Sequence, residues 1–285
     1  MDDHFLRRQQ ERKRQERIKK AKRKNIIIFI ETLIIAVLTV ALVVVSVKYA
    51  SLKGNASLNP SGDNSNSSVA SGTASSDTAS ADLLKAELDK WYMKLVNPDN
   101  SVDQSFISNV DLTEINSKYT SGSQSSKMMD TRVVESFENM CKAAANDGIT
   151  LISISAYRTY SYQSTLYNNR VQRCINEGMT RAEAEKKAAT IVALPGTSEH
   201  HLGLAVDINS VETSFEDTAA FRWLQENAEN YGFILRYPKD KQEITKIIYE
   251  PWHYRYVGVE HAKTINDLGM CFEEYVEYLS NGGVK

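Results

Sequence analysis

The feature that most constrains this chain of 285 residues is an apolar segment near its N-terminus, Ile26–Val47, which reads IIIFIETLIIAVLTVALVVVSV. About 20 apolar residues are needed to cross a bilayer as a helix, and only Glu31 interrupts this run. The segment is longer than the apolar core of a signal peptide and lacks a clear small-residue cleavage site. It therefore predicts one uncleaved transmembrane helix within residues 25–48.

The segment before it, residues 1–24, is strongly basic, with eleven Lys or Arg against four Asp or Glu. The positive-inside rule places such a segment on the cytoplasmic side of the membrane. We therefore expect residues 1–24 to be a cytoplasmic tail and everything after residue 48 to lie outside. Basic residues beside a membrane span indicate topology, and we expect no nucleic acid partner.

The composition changes again after the apolar segment. Residues 49–82 are dominated by Ser, Ala, Asn, Gly and Thr, which is typical of a flexible linker. Residues 83–285 contain regularly spaced apolar positions and are expected to form one extracytoplasmic domain. The chain is thus expected to carry a folded domain on a tether outside the membrane.

The three cysteines all fall in the predicted outer domain, at Cys141, Cys174 and Cys271. An odd number cannot all pair within one chain, and none has the close spacing of a metal site. We interpret them mainly as small buried apolar residues, while their pairing stays open.

Helical and strand periods alternate along the outer domain without a regular βαβ rhythm. This pattern favours an α+β fold with a small, mainly antiparallel sheet flanked by helices. Strands are predicted over residues 149–156, 204–208 and 244–249. Helices are predicted around 84–95, over 130–147, from Tyr160 to Gly178, after the capping box of Thr180 and Glu183, from about Phe215 to Gly232, and around 272–279.

The segment SEHHLGLAVD contains a carboxylate in an otherwise apolar strand. Alternation puts Leu204, Val206 and Ile208 on one face, which is suited to a core, and Asp207 on the other. A carboxylate in such a place is costly unless it is paired, hydrogen-bonded or bound to a cation. A histidine from the preceding loop, residue 200 or 201, could fold back toward it.

A third imidazole occurs at His253, close to a second carboxylate at Glu250. Pro251 breaks the strand regularity between them, so both side chains could approach one site. Two His and one Asp with a fourth position open to water is the composition of a catalytic zinc site. A nearby carboxylate such as Glu250 could take a proton from the attacking water.

Two further polar residues could reach the same place. Arg158 follows the strand predicted at 149–156, and Gln163 lies about one turn into the next helix. A guanidinium there could stabilise a developing oxyanion or bind a substrate carboxylate. The sequence does not favour a serine acyl-enzyme mechanism, because it contains no Gly-x-Ser-x-Gly and no Ser-x-x-Lys motif.

Three segments of the sequence resemble the VanY-like zinc D-alanyl-D-alanine carboxypeptidases of peptidase family M15. The resemblance extends over roughly residues 91–279 and implies a fold of the Hedgehog/DD-peptidase type. The segments are SAYRTYSYQ (Ser155–Gln163), PGTSEHHLGLAVDI (Pro195–Ile208) and EPWHYRYVG (Glu250–Gly258).

The resemblance implies roles for individual residues. The family pattern Ser-x-His-x-x-Gly-x-Ala-x-Asp selects residue 200 over His201 as a ligand. The implied site comprises one zinc ion held by His200, Asp207 and His253, the general base Glu250, the transition-state or carboxylate-binding Arg158, and Ser198 and Gln163, which would orient the C-terminal end of the substrate.

The resemblance also implies a function and a location. Such enzymes remove the last residue from peptidoglycan stem peptides, so we expect a membrane-anchored D,D-carboxypeptidase on the outer face of a Gram-positive-type cell. Some relatives are L,D-carboxypeptidases that act on tetrapeptides, and others are dipeptidases or endopeptidases. A binding module without catalysis is a further alternative, although it would not need Glu250. Specificity is expected to depend on the loops at 209–215 and 236–243.

Overall fold

The computed structural model describes residues 81–122 and 125–284. The predicted cytoplasmic tail, the predicted transmembrane helix and almost all of the predicted linker lie outside these residues. Among the residues that the structure describes, no helix has both the length and the apolar composition needed to span a membrane.

A four-stranded antiparallel sheet forms the centre of the domain, in the order β3-β4-β6-β5, and β1 and β2 form a separate antiparallel pair. This confirms the predicted α+β class with a small antiparallel sheet. The strands are β1 Leu112–Glu114, β2 Met128–Asp130, β3 Ser153–Ser155, β4 Ala205–Ile208, β5 Phe233–Leu235 and β6 His253–Tyr256.

Helices surround this sheet. Residues 81–86 are helical, and short 3-10 turns follow at Glu87–Asp89 and Trp91–Met93, so the predicted helix around 84–95 is broken. The α-helices after them are α1 Gln104–Ser108, α2 Val134–Asn146, α3 Tyr160–Asn176, α4 Arg181–Ala189, α5 Ala219–Asn227, α6 Gln242–Thr245, α7 Val259–Leu268 and α8 Phe272–Ser280.

Local sequence signals explain several helix ends. The Thr159 side chain accepts a hydrogen bond from the backbone N–H of Tyr162 and starts α3. The predicted capping box of Thr180 and Glu183 is present in full at the start of α4. Helix α2 begins at Val134, later than predicted, because Asp130 belongs to β2.

The alternation predicted for β4 is confirmed by the packing of its side chains. Val206 and Ile208 belong to the main apolar cluster, together with Phe137 and Met140 of α2. Asp207 is also buried, but it points away from that cluster. The apolar face of β4 therefore fixes the strand in the core and leaves Asp207 on the other face.

The strand predicted over residues 244–249 is wrong. Residues 242–245 form helix α6, and Lys246 has a left-handed backbone with φ of 63°, which is incompatible with a strand. The β-branched and aromatic residues of this segment resemble a strand in composition only. The true strand, β6, follows Pro251 and carries His253 and Arg255, whose polar side chains mask its periodicity.

The three cysteines are buried and unpaired. Cys141 lies in the main apolar cluster, and Cys174 packs with Ala184 and Ala188 between α3 and α4. Their interpretation as small buried residues is confirmed.

Candidate active site

His200 is positioned by a short 3-10 turn, Glu199–Leu202, directly before β4. Its Nδ1 lies 2.6 Å from the carbonyl oxygen of Ala156. A carbonyl can only accept, so the Nδ1 proton is donated to it and the lone pair is on Nε2. That Nε2 lies 3.4 Å from Asp207 Oδ1, so the imidazole presents its free lone pair to the carboxylate of β4.

Gly203 allows this turn to close. Its φ is 68°, and a Cβ there would lie 2.7 Å from the backbone nitrogen of Asp130. That nitrogen donates instead to the Gly203 carbonyl at 3.0 Å. A side chain at this position would therefore separate the histidine-bearing turn from β2.

His201 points elsewhere and uses both of its ring nitrogens. Its Nδ1–H donates to the carbonyl of Arg158 at 2.7 Å, and its Nε2 accepts from the backbone N–H of Gly196 at 3.1 Å. Its ring also stacks against that of Tyr160. Neither ring nitrogen of His201 is thus free to bind a metal, which agrees with its exclusion by the resemblance.

The pairing of β4 with β6 brings the third ligand into place. Asp207 and His253 are directly opposite each other in this register. The Nδ1 atom of His253 lies 3.2 Å from Asp207 Oδ1. The ligand atoms of His200, Asp207 and His253, hereafter the metal set, all lie within 4.8 Å of one another.

The metal set fits a zinc ion. The side-chain atoms His200 Nε2 and Asp207 Oδ1 are buried and have no hydrogen-bond partner among the described residues. Such orphaned atoms are costly unless a cation satisfies them. Nitrogen from His and oxygen from Asp are common zinc ligands, and three protein ligands leave a fourth position for water or substrate. The predicted ligands therefore have the chemistry and the geometry of an open metal site.

The electrostatics of the metal set favour a cation. Burial lowers the pKa of His253, but the neighbouring carboxylates of Asp207 and Glu199 outweigh this effect and raise the pKa to about 9. Burial raises the pKa of Asp207, yet His200 and Arg158 hold it well below its usual range. The site is thus anionic enough to keep a buried imidazole protonated, and a metal cation would replace that proton.

Glu250 lies beside the metal set. Its Oε2 is 3.5 Å from His253 Nδ1, and the turn through Pro251 brings the two residues together, as predicted from the sequence. Burial raises the pKa of Glu250 to about 7, although His253 partly offsets this effect. A carboxylate whose pKa lies near neutrality is suited to accept and return a proton.

Arg158 reaches the same place from the end of β3. One of its Nη atoms pairs with Asp207 Oδ2, and its Nε donates to Ser155 Oγ at 3.0 Å. The other Nη lies 3.5 Å from Gln163 Oε1, at the limit of a hydrogen bond. Arg158 therefore orients Asp207 and is also one of the residues that line the cleft.

Ser198 and Gln163 differ in their access to substrate. Ser198 lines the cleft next to the metal set. Gln163 is fully buried, and its side-chain amide donates to the carbonyl of Ala193 at 2.7 Å. It lies behind Arg158 and is not among the residues that line the cleft. The structure therefore does not bring Gln163 to the place that the resemblance implied.

The metal set opens into a cleft of about 620 Å³. Residues 211–213 line it, as predicted for the first specificity loop, but the second predicted loop, 236–243, contributes only Tyr237. Helix α3 and the segment that was wrongly predicted as a strand supply much of the remaining wall. Their cleft residues include Leu166, Arg170, Arg173, Ile247 and Ile248.

Sequence reasoning missed a buried charged group beneath His253. Glu199, Arg236 and Arg255 are at most 1% exposed, and Glu199 lies next to His200 in the motif. Two arginines in the apolar and aromatic contexts FILRYP and HYRYV, with a glutamate inside the metal motif, are the signal that could have revealed it. Tyr237 was also missed, and its ring centroid lies 4.8 Å from that of His253.

Comparisons with known proteins give matches to one family of enzymes. The family model described as VanY: D-alanyl-D-alanine carboxypeptidase matches residues 126–259. A D-alanyl-D-alanine carboxypeptidase of Enterococcus faecalis is 40% identical over 187 residues, which is 66% of each chain. The putative carboxypeptidase YodJ of Bacillus subtilis is 44% identical over 149 residues, 50% of this chain and 51% of the relative. The chain thus spans about half to two thirds of the length of these curated relatives.

Solved structures match the domain more completely. A mutant of the vancomycin-resistance D,D-pentapeptidase VanY in complex with Zn(II) is 40% identical, with a TM-score of 0.57, over 66% of this chain and 99% of that one. VanYB in complex with D-alanine-D-alanine is 40% identical, with a TM-score of 0.58, over 66% of this chain and 98% of that one. Since these relatives are matched over nearly their whole length, the chain belongs to the VanY family of D-alanyl-D-alanine carboxypeptidases.

Proposed function

We propose that this protein is a zinc-dependent carboxypeptidase that removes the C-terminal D-alanine from peptidoglycan stem peptides ending in D-Ala-D-Ala. The observation that carries the proposal is the convergence of the metal set and Glu250 on the wall of one open cleft. Ligands, base and substrate space are all needed for metal-assisted peptide hydrolysis.

Each residue of the site has a role in this reaction. His200, Asp207 and His253 would hold the zinc ion, which when bound lowers the pKa of a water molecule and polarises a carbonyl. Glu250 takes the proton from the water that attacks the scissile carbonyl carbon. It then returns the proton to the nitrogen of the departing D-alanine, so that the C–N bond breaks with a neutral amine leaving group.

Arg158 binds a negative charge, which either forms during hydrolysis or is already present on the substrate. Its Nη with the long contact to Gln163 is available to the oxyanion formed at the carbonyl or to the terminal carboxylate of the substrate. Because another Nη of the same side chain pairs with Asp207, the guanidinium is held in place before the substrate arrives. Ser198 borders the same part of the cleft.

A second candidate function is L,D-carboxypeptidase action on tetrapeptide stems. The relative that favours it is the LdcB LD-carboxypeptidase, whose structure is 35% identical with a TM-score of 0.56 over 64% of this chain and 84% of that one. The D,D reading ranks first because VanYB, a relative of higher identity, was solved in complex with D-alanine-D-alanine.

We also propose that the domain acts outside the membrane. Support comes from the sequence, in which the basic tail at 1–24 precedes the apolar segment at 26–47 and a Ser-rich linker follows. Protease added to intact cells should degrade the folded domain and leave the basic tail protected. Protection of the domain would contradict this topology.

The activity is tested by mass spectrometry on the full-length protein in mild detergent, loaded with zinc. It is incubated separately with a pentapeptide ending in D-Ala-D-Ala and with the corresponding tetrapeptide. Loss of one alanine from the pentapeptide alone supports the D,D activity, and loss from the tetrapeptide alone supports the L,D activity.

The matched control is Glu250→Gln, which should keep zinc but lose roughly 10²–10⁴-fold in rate as the general base is removed. Intact peptides with zinc-loaded wild-type protein would refute both carboxypeptidase functions and favour a binding module.

A further inference from the structure

The two ring nitrogens of His253 face different groups. Nδ1 faces the metal set, 3.2 Å from Asp207 Oδ1. Nε2 faces the opposite side, where Glu199 Oε2 lies 3.9 Å away. Both Nε2 and Oε2 are buried, and neither has a hydrogen-bond partner among the described residues. Two unsatisfied buried atoms, one able to donate and one able only to accept, therefore face each other.

The other oxygen of Glu199 is fully engaged. Oε1 accepts from Arg236 Nε at 2.8 Å and forms an ion pair with Arg255 Nη1, also at 2.8 Å. All three side chains are essentially inaccessible to solvent. Two guanidinium groups thus fix the position of one carboxylate oxygen and leave the second for His253.

This arrangement is held from behind. Arg236 makes a two-pronged hydrogen bond to Glu273, at 2.8 and 2.6 Å. Arg255 donates from one Nη to the carbonyl oxygens of Tyr92 and Lys94, at 2.8 and 2.9 Å. Because both arginines are anchored to other parts of the domain, Glu199 cannot turn away without breaking ion pairs inside the protein.

We propose that Glu199 is a positioning residue that accepts the Nε2–H of His253 and so directs the Nδ1 lone pair into the metal set. This inference rests on the zinc site of the proposed function. A carboxylate behind a ligating imidazole fixes its tautomer and its orientation, and loss of such a partner weakens metal affinity about 10–100-fold. The glutamate next to His200 in the motif thus acts on the ligand that is distant in sequence.

The diagnostic substitution is Glu199→Gln. The two arginines can only donate, so they bind the amide oxygen of Gln and turn its NH₂ group toward His253. That group donates to Nε2, which forces the ring proton onto Nδ1 and blocks the metal-binding lone pair. We expect the zinc dissociation constant, measured by competition with a fluorescent chelator on the full-length protein, to rise about 10–100-fold.

The matched control is Glu273→Gln, which perturbs Arg236, one of the two arginines that hold Glu199, without facing His253. It should leave zinc affinity within about threefold of wild type, although it destabilises the fold through Arg236. Equal loss of zinc affinity in both variants would show that Glu199 is only structural and would overturn the proposal.

A measurement on the wild type covers the case in which Glu199→Gln does not fold. In zinc-loaded protein labelled with ¹⁵N-histidine, the spectrum should show His253 protonated at Nε2 and metal-bound at Nδ1. Metal on Nε2, or no proton there, would refute the proposed contact. Neither experiment uses a peptide. If the zinc affinities and the histidine spectrum are as expected but no peptide is hydrolysed, only the proposed function is contradicted.

Discussion

Two neighbouring sets of buried charges, the metal set that lines the cleft and the arginine cluster on the other side of His253, differ in what surrounds them. In the arginine cluster, formed by Arg236, Arg255 and Glu273, each side chain is held by ion pairs or hydrogen bonds to neighbours. In the metal set, His200 Nε2 and Asp207 Oδ1 are equally buried but have no hydrogen-bond partner among the described residues. Arg236, Arg255 and Glu273 therefore stabilise the fold through contacts within the protein, whereas the ligand atoms of the metal set, which converge within 4.8 Å, mark the place of a cation.

Removing a member of the metal set should have the largest effect on function. His200→Ala deletes one of three ligands, so tight zinc binding and peptide hydrolysis should both fall to background. Wild-type protein stripped with a chelator should also lose activity and regain it on addition of zinc, whereas the variant should not. Metal content and released alanine, measured on the same samples, check this. Full activity of the variant would show that the metal set is misassigned.

Breaking the arginine cluster should have the largest effect on stability. Arg236→Met removes the arginine partner of Glu273 and one of the two arginines paired with Glu199, and the expected loss of unfolding free energy is about 3–5 kcal/mol. The control is Lys239→Met, which removes a solvent-screened ion pair with Glu216 and should leave the free energy of unfolding nearly unchanged. Urea denaturation compares the two. Similar losses in both would contradict the role assigned to the cluster.

A smaller effect should appear in the pH dependence of the metal-free protein. Burial raises the pKa of Glu250 from its ordinary 4.5 to about 7. Because the pKa is raised, this carboxyl contributes fully to stability at a pH below the pKa of the unfolded state. The contribution is lost as the pH rises through the folded-state pKa of about 7. At about 1.4 kcal/mol per pKa unit, the loss is roughly 3 kcal/mol.

Glu250→Gln removes this dependence. Between about pH 5 and about pH 8 the wild type should therefore lose unfolding free energy relative to the variant. Denaturation curves at the two pH values, without metal, measure the change. A difference that stays constant with pH would show that Glu250 is not a buried carboxyl of raised pKa.

The smallest effect is expected at the wall of the cleft. Arg170 and Arg173 line it from α3 and form no ion pair with any described residue. Their charges should favour peptides with a carboxylate in the third residue from the C-terminus. Replacing both with Gln should raise KM for such a peptide about two- to fivefold with little change in kcat. The comparison is the same peptide with the carboxylate of that third residue amidated. An equal change in KM for both peptides would contradict a charge effect.

Much of the site could be predicted because its signals are local. Strand β4 alternates cleanly between core residues and Asp207, and Pro251 interrupts the chain between Glu250 and His253. Both patterns depend on a few consecutive residues, and both led to side chains that the structure brings together.

The remaining features depend on contacts between distant segments. Strand β6 was missed because His253 and Arg255 are buried by partners on other strands and turns, which a strand pattern does not include. Helix α6 replaced a predicted strand because the backbone reverses at Lys246. The placement of Gln163 behind Arg158 likewise depends on Ala193, thirty positions away in sequence.

The origin of the ligands also bears on how the domain assembles. His200 and Asp207 are neighbours along the chain, whereas His253 joins them only when β6 pairs with β4 across roughly 45 intervening residues. Two of the three protein ligands can therefore be brought together early, and the last one arrives with the non-local strand pairing that closes the sheet. Zinc uptake during refolding would report when the central sheet is complete, and a chain stalled before that step would release the metal readily.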